Sequence, residues 1–128
     1  MWLLFNDSFI SVIASDRDPN LLVVRARRTG DLQQIFGADV PVLELEARDY
    51  RYRAFLPRQT VATVIAERLL AIDYFNVKGS VEDSHLLHAY HEVHAVLEEL
   101  QEIPMYRTKP RPNFRAHPVR RPRGWDRV

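Results

Sequence analysis

Val42-Leu43-Glu44-Leu45-Glu46-Ala47-Arg48-Asp49-Tyr50-Arg51-Tyr52-Arg53-Ala54-Phe55-Leu56-Pro57 carries the clearest strand pattern in the chain. Leu43, Leu45 and Ala47 alternate with Glu44, Glu46 and Arg48, and after Arg48-Asp49 the alternation resumes. Tyr50, Tyr52, Ala54 and Leu56 then oppose Arg51, Arg53 and Phe55. A period of two places one set on a buried face and the other on the opposite face. If Arg48-Asp49 is a two-residue turn, Glu46 lies opposite Arg51 and Glu44 opposite Arg53, and such pairs contribute about 0.2–1 kcal/mol each. Arg-Asp is a weak hairpin turn beside Asn-Gly, so a one-residue slip stays open.

The flanking segments extend this hairpin into a sheet. Upstream, Leu21–Arg28 reads as a strand with Leu22, Val24 and Ala26 on one face and Arg25 and Arg27 on the other. Between the two regions, Leu32, Ile35 and Phe36 have helical spacing behind Thr29-Gly30-Asp31, with Thr29 or Asp31 near the N-cap. Gly37 suits the C-terminal cap. Trp2–Phe5 and Phe9–Ala14 flank Asn6-Asp7-Ser8 and read as an N-terminal hairpin. Downstream, Thr60–Asp73 reads as a helix with Val61, Ile65, Leu69 and Ile72 in its stripe. Tyr74–Val81 reads as a short strand or an ordered loop. Asp83 or Ser84 then caps a last helix running to about Ile103, with Leu86, Tyr90, Val93, Leu97 and Leu100 as its stripe. The element order predicts an α+β fold: a ferredoxin-like split βαβ antiparallel sheet with an extra N-terminal hairpin and a C-terminal helix. Helices would cover one face, and the other would be open or covered by the tail.

The charge is uneven along the chain. The 128 residues sum to +1, but residues 1–104 hold 10 basic and 16 acidic side chains, whereas residues 105–128 hold 8 and 1. The organisation expected is a single α+β domain over 1–104 with net charge −6, and a basic, Pro/Arg-rich disordered tail over 105–128 with net charge +7. There are no cysteines, which excludes a disulfide framework, a thiol nucleophile and a cysteine zinc site. No stretch approaches the roughly 20 apolar residues of a membrane span. Met1-Trp2-Leu3-Leu4-Phe5 lacks a basic leader and is interrupted by Asn6 and Asp7, so the expected compartment is the cytoplasm.

A more specific pattern runs through the domain. Met1-Trp2-Leu3 is followed by Phe9-Ile10-Ser11-Val12, Val24-Arg25-Ala26-Arg27 and Asp49-Tyr50-Arg51-Tyr52-Arg53. Ile72-Asp73-Tyr74-Phe75-Asn76-Val77-Lys78 and Tyr90-His91-Glu92-Val93 through Val96 and Leu100-Gln101 come later. In this order the chain resembles a widespread family of small uncharacterised proteins of bacteria, mobile elements and phages. The resemblance covers most of residues 1–101 and stops before the tail. Val77 stands where the pattern commonly has Phe, and His94 where it commonly has Trp, so no role that needs an aromatic at either position is carried over. The resemblance implies the domain organisation and a bacterial or phage setting, and no activity.

Several clusters invite chemistry. His85, His88, His91 and His94 step by three along one helix and drift around it, which favours solvated or boundary histidines over a metal site. Glu92 and Glu98, four residues after His88 and His94, form ordinary surface pairs. Asp73, Tyr74, Asn76 and Lys78 could serve an enzyme, with Asp73 as base and Lys78 as electrostatic stabiliser. The simpler reading makes Asp73 and Asn76 turn residues, Tyr74 a packed aromatic and Lys78 a solvated charge. No Ser/His/Asp order, phosphate-cradling glycine loop or carboxylate dyad stands out, so no cofactor is implied and an enzyme is the less favoured class.

Two basic features remain. Arg25, Arg27, Arg51 and Arg53 would form a stripe if their strands are neighbours, although pairing with Glu44 and Glu46 would neutralise much of it. Tyr50 and Tyr52 are expected on the opposite face from Arg51 and Arg53, unlike an RNA-binding sheet with aromatics on its binding face. In the tail, Arg107, Lys109, Arg111, Arg115, Arg120, Arg121 and Arg123 can contact phosphates, Arg127 adds an eighth cation, and Phe114 and Trp125 can stack on bases. The alternatives for the tail are contact with its own acidic domain or with another protein, or a solubilising segment with no specific role. The sequence therefore predicts a small binding or accessory protein that contacts nucleic acid, or a nucleic-acid-associated complex, through the tail. A phage or mobile-element protein that binds and modulates a host protein is the alternative.

Overall fold

A computed structural model describes residues 1–102. It contains a five-stranded antiparallel sheet with helices, an α+β fold. The strands are β1 (Trp2–Leu4), β2 (Phe9–Ala14), β3 (Leu21–Ala26), β4 (Leu43–Glu44) and β5 (Tyr52–Pro57), in sheet order β1-β2-β3-β5-β4. The helices are α1 (Asp31–Phe36), α2 (Arg58–Leu70) and α3 (Ser84–Leu97). The chain divides into two compact units, Met1–His88 and a second that begins at Ala89. No helix of the described residues is long and apolar enough to cross a membrane.

The split βαβ is present at the centre. β3 and β4, joined through α1, run parallel with antiparallel β5 between them. A ferredoxin-like sheet would add a strand after α2 beside β3. Here that position belongs to β2 of the N-terminal hairpin, and the segment after α2 is a loop ending in a 3-10 turn at Lys78–Ser80.

Alternation in the strands separates two faces. Leu3 and Ile10 are paired, as are Val12 and Val24, Leu22 and Leu56, and Val24 and Ala54. These residues join Leu32 and Ile35 of α1 and Val61 of α2 in the main core. Ile10, Val24 and Ala54 are 0% exposed, so this face supplies much of the hydrophobic stabilisation. On the second face one lateral row runs Trp2, Ser11, Arg25, Arg53, Leu43 across all five strands.

Local signals acted largely as their chemistry requires. The Phe5 N–H donates to the Ser8 carbonyl at 2.9 Å, closing the first hairpin around Asn6-Asp7. Gly30 precedes α1 with φ 87°, so glycine rather than Thr29 or Asp31 occupies the N-cap. Asp31 is freed to accept from Arg28 Nη2 at 3.0 Å and from the Phe9 N–H at 3.4 Å, and it is buried. Gly37 ends α1 at φ 97°, ψ 161°, a region open almost only to glycine, and its N–H donates to the Gln33 carbonyl. The Asp83 carboxylate accepts from the Leu86 N–H at 2.8 Å and caps α3.

Three expectations need correction. The β4–β5 pairing is slipped by one residue: Glu44 faces Tyr52, and Leu43 faces Arg53. Arg48-Asp49 does not form a tight turn. Instead the Leu45 N–H donates to the Arg51 carbonyl at 2.7 Å, and the Arg48 N–H to the Leu45 carbonyl at 3.2 Å. The wider loop releases both Tyr50 and Arg51 from strand alternation. Second, α2 covers Arg58–Leu70, and its stripe leaves the core early. Val61 is buried, but Leu69 is 62% and Ile72 47% exposed. Third, α3 ends at Leu97, followed by a 3-10 turn at Glu98–Leu100. Leu86 and Tyr90 are buried, whereas Val93, Leu97 and Leu100 of the same stripe are exposed. Periodicity reports that a helix is amphipathic, and only tertiary packing decides how much of its apolar stripe finds a partner.

Candidate functional site

The second face of the sheet gathers cations and rings. Arg25 and Arg53 are direct cross-strand partners on β3 and β5. Like charges at such positions repel, so their juxtaposition requires compensation. Part of it is Tyr50, which enters from the loop before β5 and is 3% exposed. Its ring centroid lies 4.3 Å from the Arg25 guanidinium carbon and 4.1 Å from that of Arg27. Cation–π contacts of this kind are worth about 0.5–2 kcal/mol each, depending on desolvation. Arg53 donates through Nε to the Tyr50 carbonyl at 3.4 Å and meets the exposed carboxylate of Asp49 at 3.6 Å.

Neighbouring residues extend the array. Arg25 Nη2 donates to the buried Ser11 hydroxyl at 2.6 Å. Trp2, 70% exposed, packs edge-on against Phe9 with centroids 6.4 Å apart. The Arg27 guanidinium also lies 5.8 Å from the Phe9 centroid, and that of Arg17 lies 4.7 Å from Phe55. Phe9, Arg25, Arg53 and Phe55 are half-buried, and Arg27 is exposed. The result is an interleaved surface of guanidiniums and aromatic rings on one sheet face.

Tyr50 thus lies on the arginine face, against expectation, while Tyr52 packs against the core. Alternation holds only inside a strand, and Tyr50 sits in the loop. Arg51 leaves the stripe as well. It donates to Glu44 at 2.8 Å and Glu46 at 3.3 Å, so one arginine takes both glutamates, and Arg53 is left with Asp49. The Glu44 hydrogen bond, followed by the Glu44 charge, raises the pKa of Arg51. Trp2, Phe9, Phe55 and Arg17 escaped the sequence reading; the signal available for Trp2 and Phe9 was their shared parity with Ser11 across a hairpin.

Two further arginines, Arg28 and Arg68, are tied to carboxylates. Arg28 meets Asp31 at 3.0 Å and Asp83 at 3.2 Å, and Arg68 meets Asp7 at 2.9 Å. Burial pushes the Asp7 carboxyl up, but hydrogen bonds from Arg68, Ser8 and Gln34 and the Arg68 charge outweigh it and hold the pKa below 3.8. Asp83 is also lowered, first by the Leu86 N–H, despite opposing desolvation, with help from Arg28. Asp7, Arg28 and Asp83, with Asn6, Gln34, Ser80 and Glu82, line a shallow polar cleft in the first unit. Its internal charge pairing makes it a structural clamp.

The Asp73, Tyr74, Asn76 and Lys78 cluster forms a turn. Asn76 Oδ1 accepts from the backbone N–H groups of Lys78 at 2.9 Å and Gly79 at 3.4 Å. Among the described residues no hydrogen bond or ion pair joins Asp73, Tyr74 and Lys78. His94 Nε2 meets Glu98 at 2.9 Å, one of the surface pairs expected along α3. Among the described residues no group of three or more His, Asp or Glu side chains is arranged to hold a metal ion. Arg107, Lys109, Arg111, Arg115, Arg120, Arg121, Arg123 and Trp125 lie outside the described residues. The chain matches no family model, no curated protein and no solved structure.

Proposed function

We propose that the protein is a small nucleic-acid-binding accessory protein of bacterial or phage origin that acts in the cytoplasm. The observation that carries this reading is the second sheet face, where Arg25, Arg27 and Arg53 surround Tyr50 beside Phe9 and exposed Trp2. Guanidiniums bind phosphates in a forked geometry, and rings stack on unpaired bases with little regard to sequence. A face of this composition suits a single strand, whose bases are free to leave the stack. The basic tail supplies a second, sequence-independent hold on the phosphates.

The test is a fluorescence-anisotropy titration of a labelled single-stranded oligonucleotide with the full chain over a salt series. The native protein should bind, with log K falling linearly against log salt. An Arg25→Gln/Arg27→Gln variant and an Arg120→Gln/Arg121→Gln/Arg123→Gln variant should each bind more weakly and show a shallower slope. Salt-insensitive binding, or none at low salt, would refute the reading.

One observation favours the alternative of a host-protein modulator. Leu70 is 87% exposed, and Phe75 is as exposed as a free side chain. Leu69 and Ile72 of the same short stretch are exposed as well, and a run of exposed apolar side chains can mark an interaction site. A partner retained from a nuclease-treated lysate by the native chain, and lost with Phe75→Asp, would favour it.

A further inference from the structure

The arginines of the second face are sparsely matched by carboxylates. Arg28, Arg51 and Arg68 each hold a carboxylate within 3.0 Å. Among the described residues Arg25, Arg27 and Arg53 share one, the exposed Asp49 at 3.6 Å from Arg53. Arg27 makes no hydrogen bond or ion pair among the described residues. Among the described residues the side-chain nitrogen Nε of Arg25 and the hydroxyl of Tyr50 are buried without a hydrogen-bond partner. Buried donors are ordinarily satisfied, and two orphans in one contact ask for an explanation. Both belong to side chains packed against each other at 4.3 Å. The hydroxyl of Ser11, 1% exposed and already accepting from Arg25, can donate as well.

These groups form a donor-rich set around positive charge that one exposed carboxylate only partly compensates. The complementary chemistry is a compact oxyanion that only accepts. A phosphate monoester offers three terminal oxygens and close to two negative charges, and matches the guanidinium fork. A bridging phosphodiester has one charge and two free oxygens, and leaves more of the donors unmet. Trp2 stands directly across from Ser11, which stands across from Arg25. With strands about 4.8 Å apart, its backbone position lies roughly 10 Å from that of Arg25 along the sheet. That places an aromatic platform beside the anion position, on the side from which a chain attached to the phosphate would leave.

We propose that Ser11, Arg25, Tyr50 and Arg53 form a phosphate socket that takes the terminal 5′-phosphate of a single strand, with Trp2 beside it to stack a base. Arg27 is the movable cover: displacing its exposed guanidinium from the Tyr50 ring admits the anion, and the freed guanidinium adds a third cation to it. The strand part of this proposal rests on the nucleic-acid reading above; the socket stands on its own geometry.

The test compares the full chain binding two oligonucleotides of one sequence, with a 5′-phosphate and with a 5′-hydroxyl, and uses inorganic phosphate as competitor. The 5′-phosphorylated strand should bind about tenfold tighter, the size expected of a hydrogen bond to a charged group. Tyr50→Phe keeps the ring and removes one donor, so it should erase most of that ratio. Equal binding of both strands by the native protein would overturn the socket and spare the nucleic-acid reading. An undiminished ratio in Tyr50→Phe would overturn the role given to the hydroxyl, and with it the socket. Binding of neither strand, with a Tyr50-dependent rise of the melting temperature in inorganic phosphate, would support the socket and remove the strand.

Discussion

Replacing Tyr50 separates stability from binding. Its ring is 3% exposed and touches two guanidiniums at 4.3 and 4.1 Å, while its hydroxyl is buried without a partner among the described residues. Truncating a buried aromatic to Ala costs about 3–5 kcal/mol, and losing the two cation–π contacts is part of that cost. An unpaired buried hydroxyl works the other way, since leaving such a group unsatisfied costs about 1–3 kcal/mol. Tyr50→Phe keeps the ring, both contacts and the volume, and removes only the penalty. It should therefore leave stability unchanged or raise it by about 1 kcal/mol, which shifts the melting temperature up by roughly 4–8 °C in a domain of this size. Tyr50→Ala should lose several kcal/mol in the same host. Urea unfolding followed by circular dichroism measures both, with stability read from the midpoint at constant slope. A loss of more than 1 kcal/mol in Tyr50→Phe would show that the hydroxyl is satisfied in the native protein. That result would refute the reasoning, because the orphaned donor is what marks the cluster as poised for a ligand.

Further perturbations test the fold beneath the site. Leu32→Ala, at a position 1% exposed under the sheet, should cost about 2–5 kcal/mol in urea unfolding. Gly37→Ala should cost about 1–3 kcal/mol although no atom lies within 4 Å of the added carbon, because φ 97° and ψ 161° are hostile to a side chain. The Asp7 carboxyl has a folded pKa below its unfolded value near 3.8, so its contribution to stability is complete above that value and is lost as pH falls through the folded pKa. Asp7→Asn should accordingly flatten the acid limb of a stability–pH curve below about pH 4 and leave the neutral region parallel to the native one. Arg51→Ala should leave the melting midpoint nearly unmoved at moderate salt, since its pairs with Glu44 and Glu46 sit in solvent.

What the sequence disclosed follows from which interactions are local. Alternation in β3 placed Val24 inward and Arg25 outward, because successive side chains of a strand must diverge. Leu32 and Ile35 lie on the buried side of a helix of only six residues, ended by a glycine in a conformation glycine favours. The β4–β5 register was less legible, because charge complementarity between Glu44, Glu46, Arg51 and Arg53 is met by more than one pairing. Turn geometry decided it: Arg48-Asp49 favours a wider loop over a tight hairpin, and the slip follows. The same loop carries Tyr50 across to the arginines, so the centre of the candidate site was hidden by a rule that applies only within strands. The exposed ends of the α2 and α3 stripes were also illegible, since spacing cannot say whether a partner surface is present at Leu69 or Leu97.

The account rests on the second sheet face as the surface that meets nucleic acid. Amide and indole chemical-shift mapping of the full chain, titrated with a 5′-phosphorylated single-stranded oligonucleotide, addresses that face residue by residue. The account predicts saturable shifts concentrated at Trp2, Ser11, Arg25, Arg27, Tyr50 and Arg53, with Leu32 and Val61 on the helical side unmoved. Shifts confined to residues 105–128, with Trp2, Arg25 and Tyr50 stationary at saturation, would contradict it.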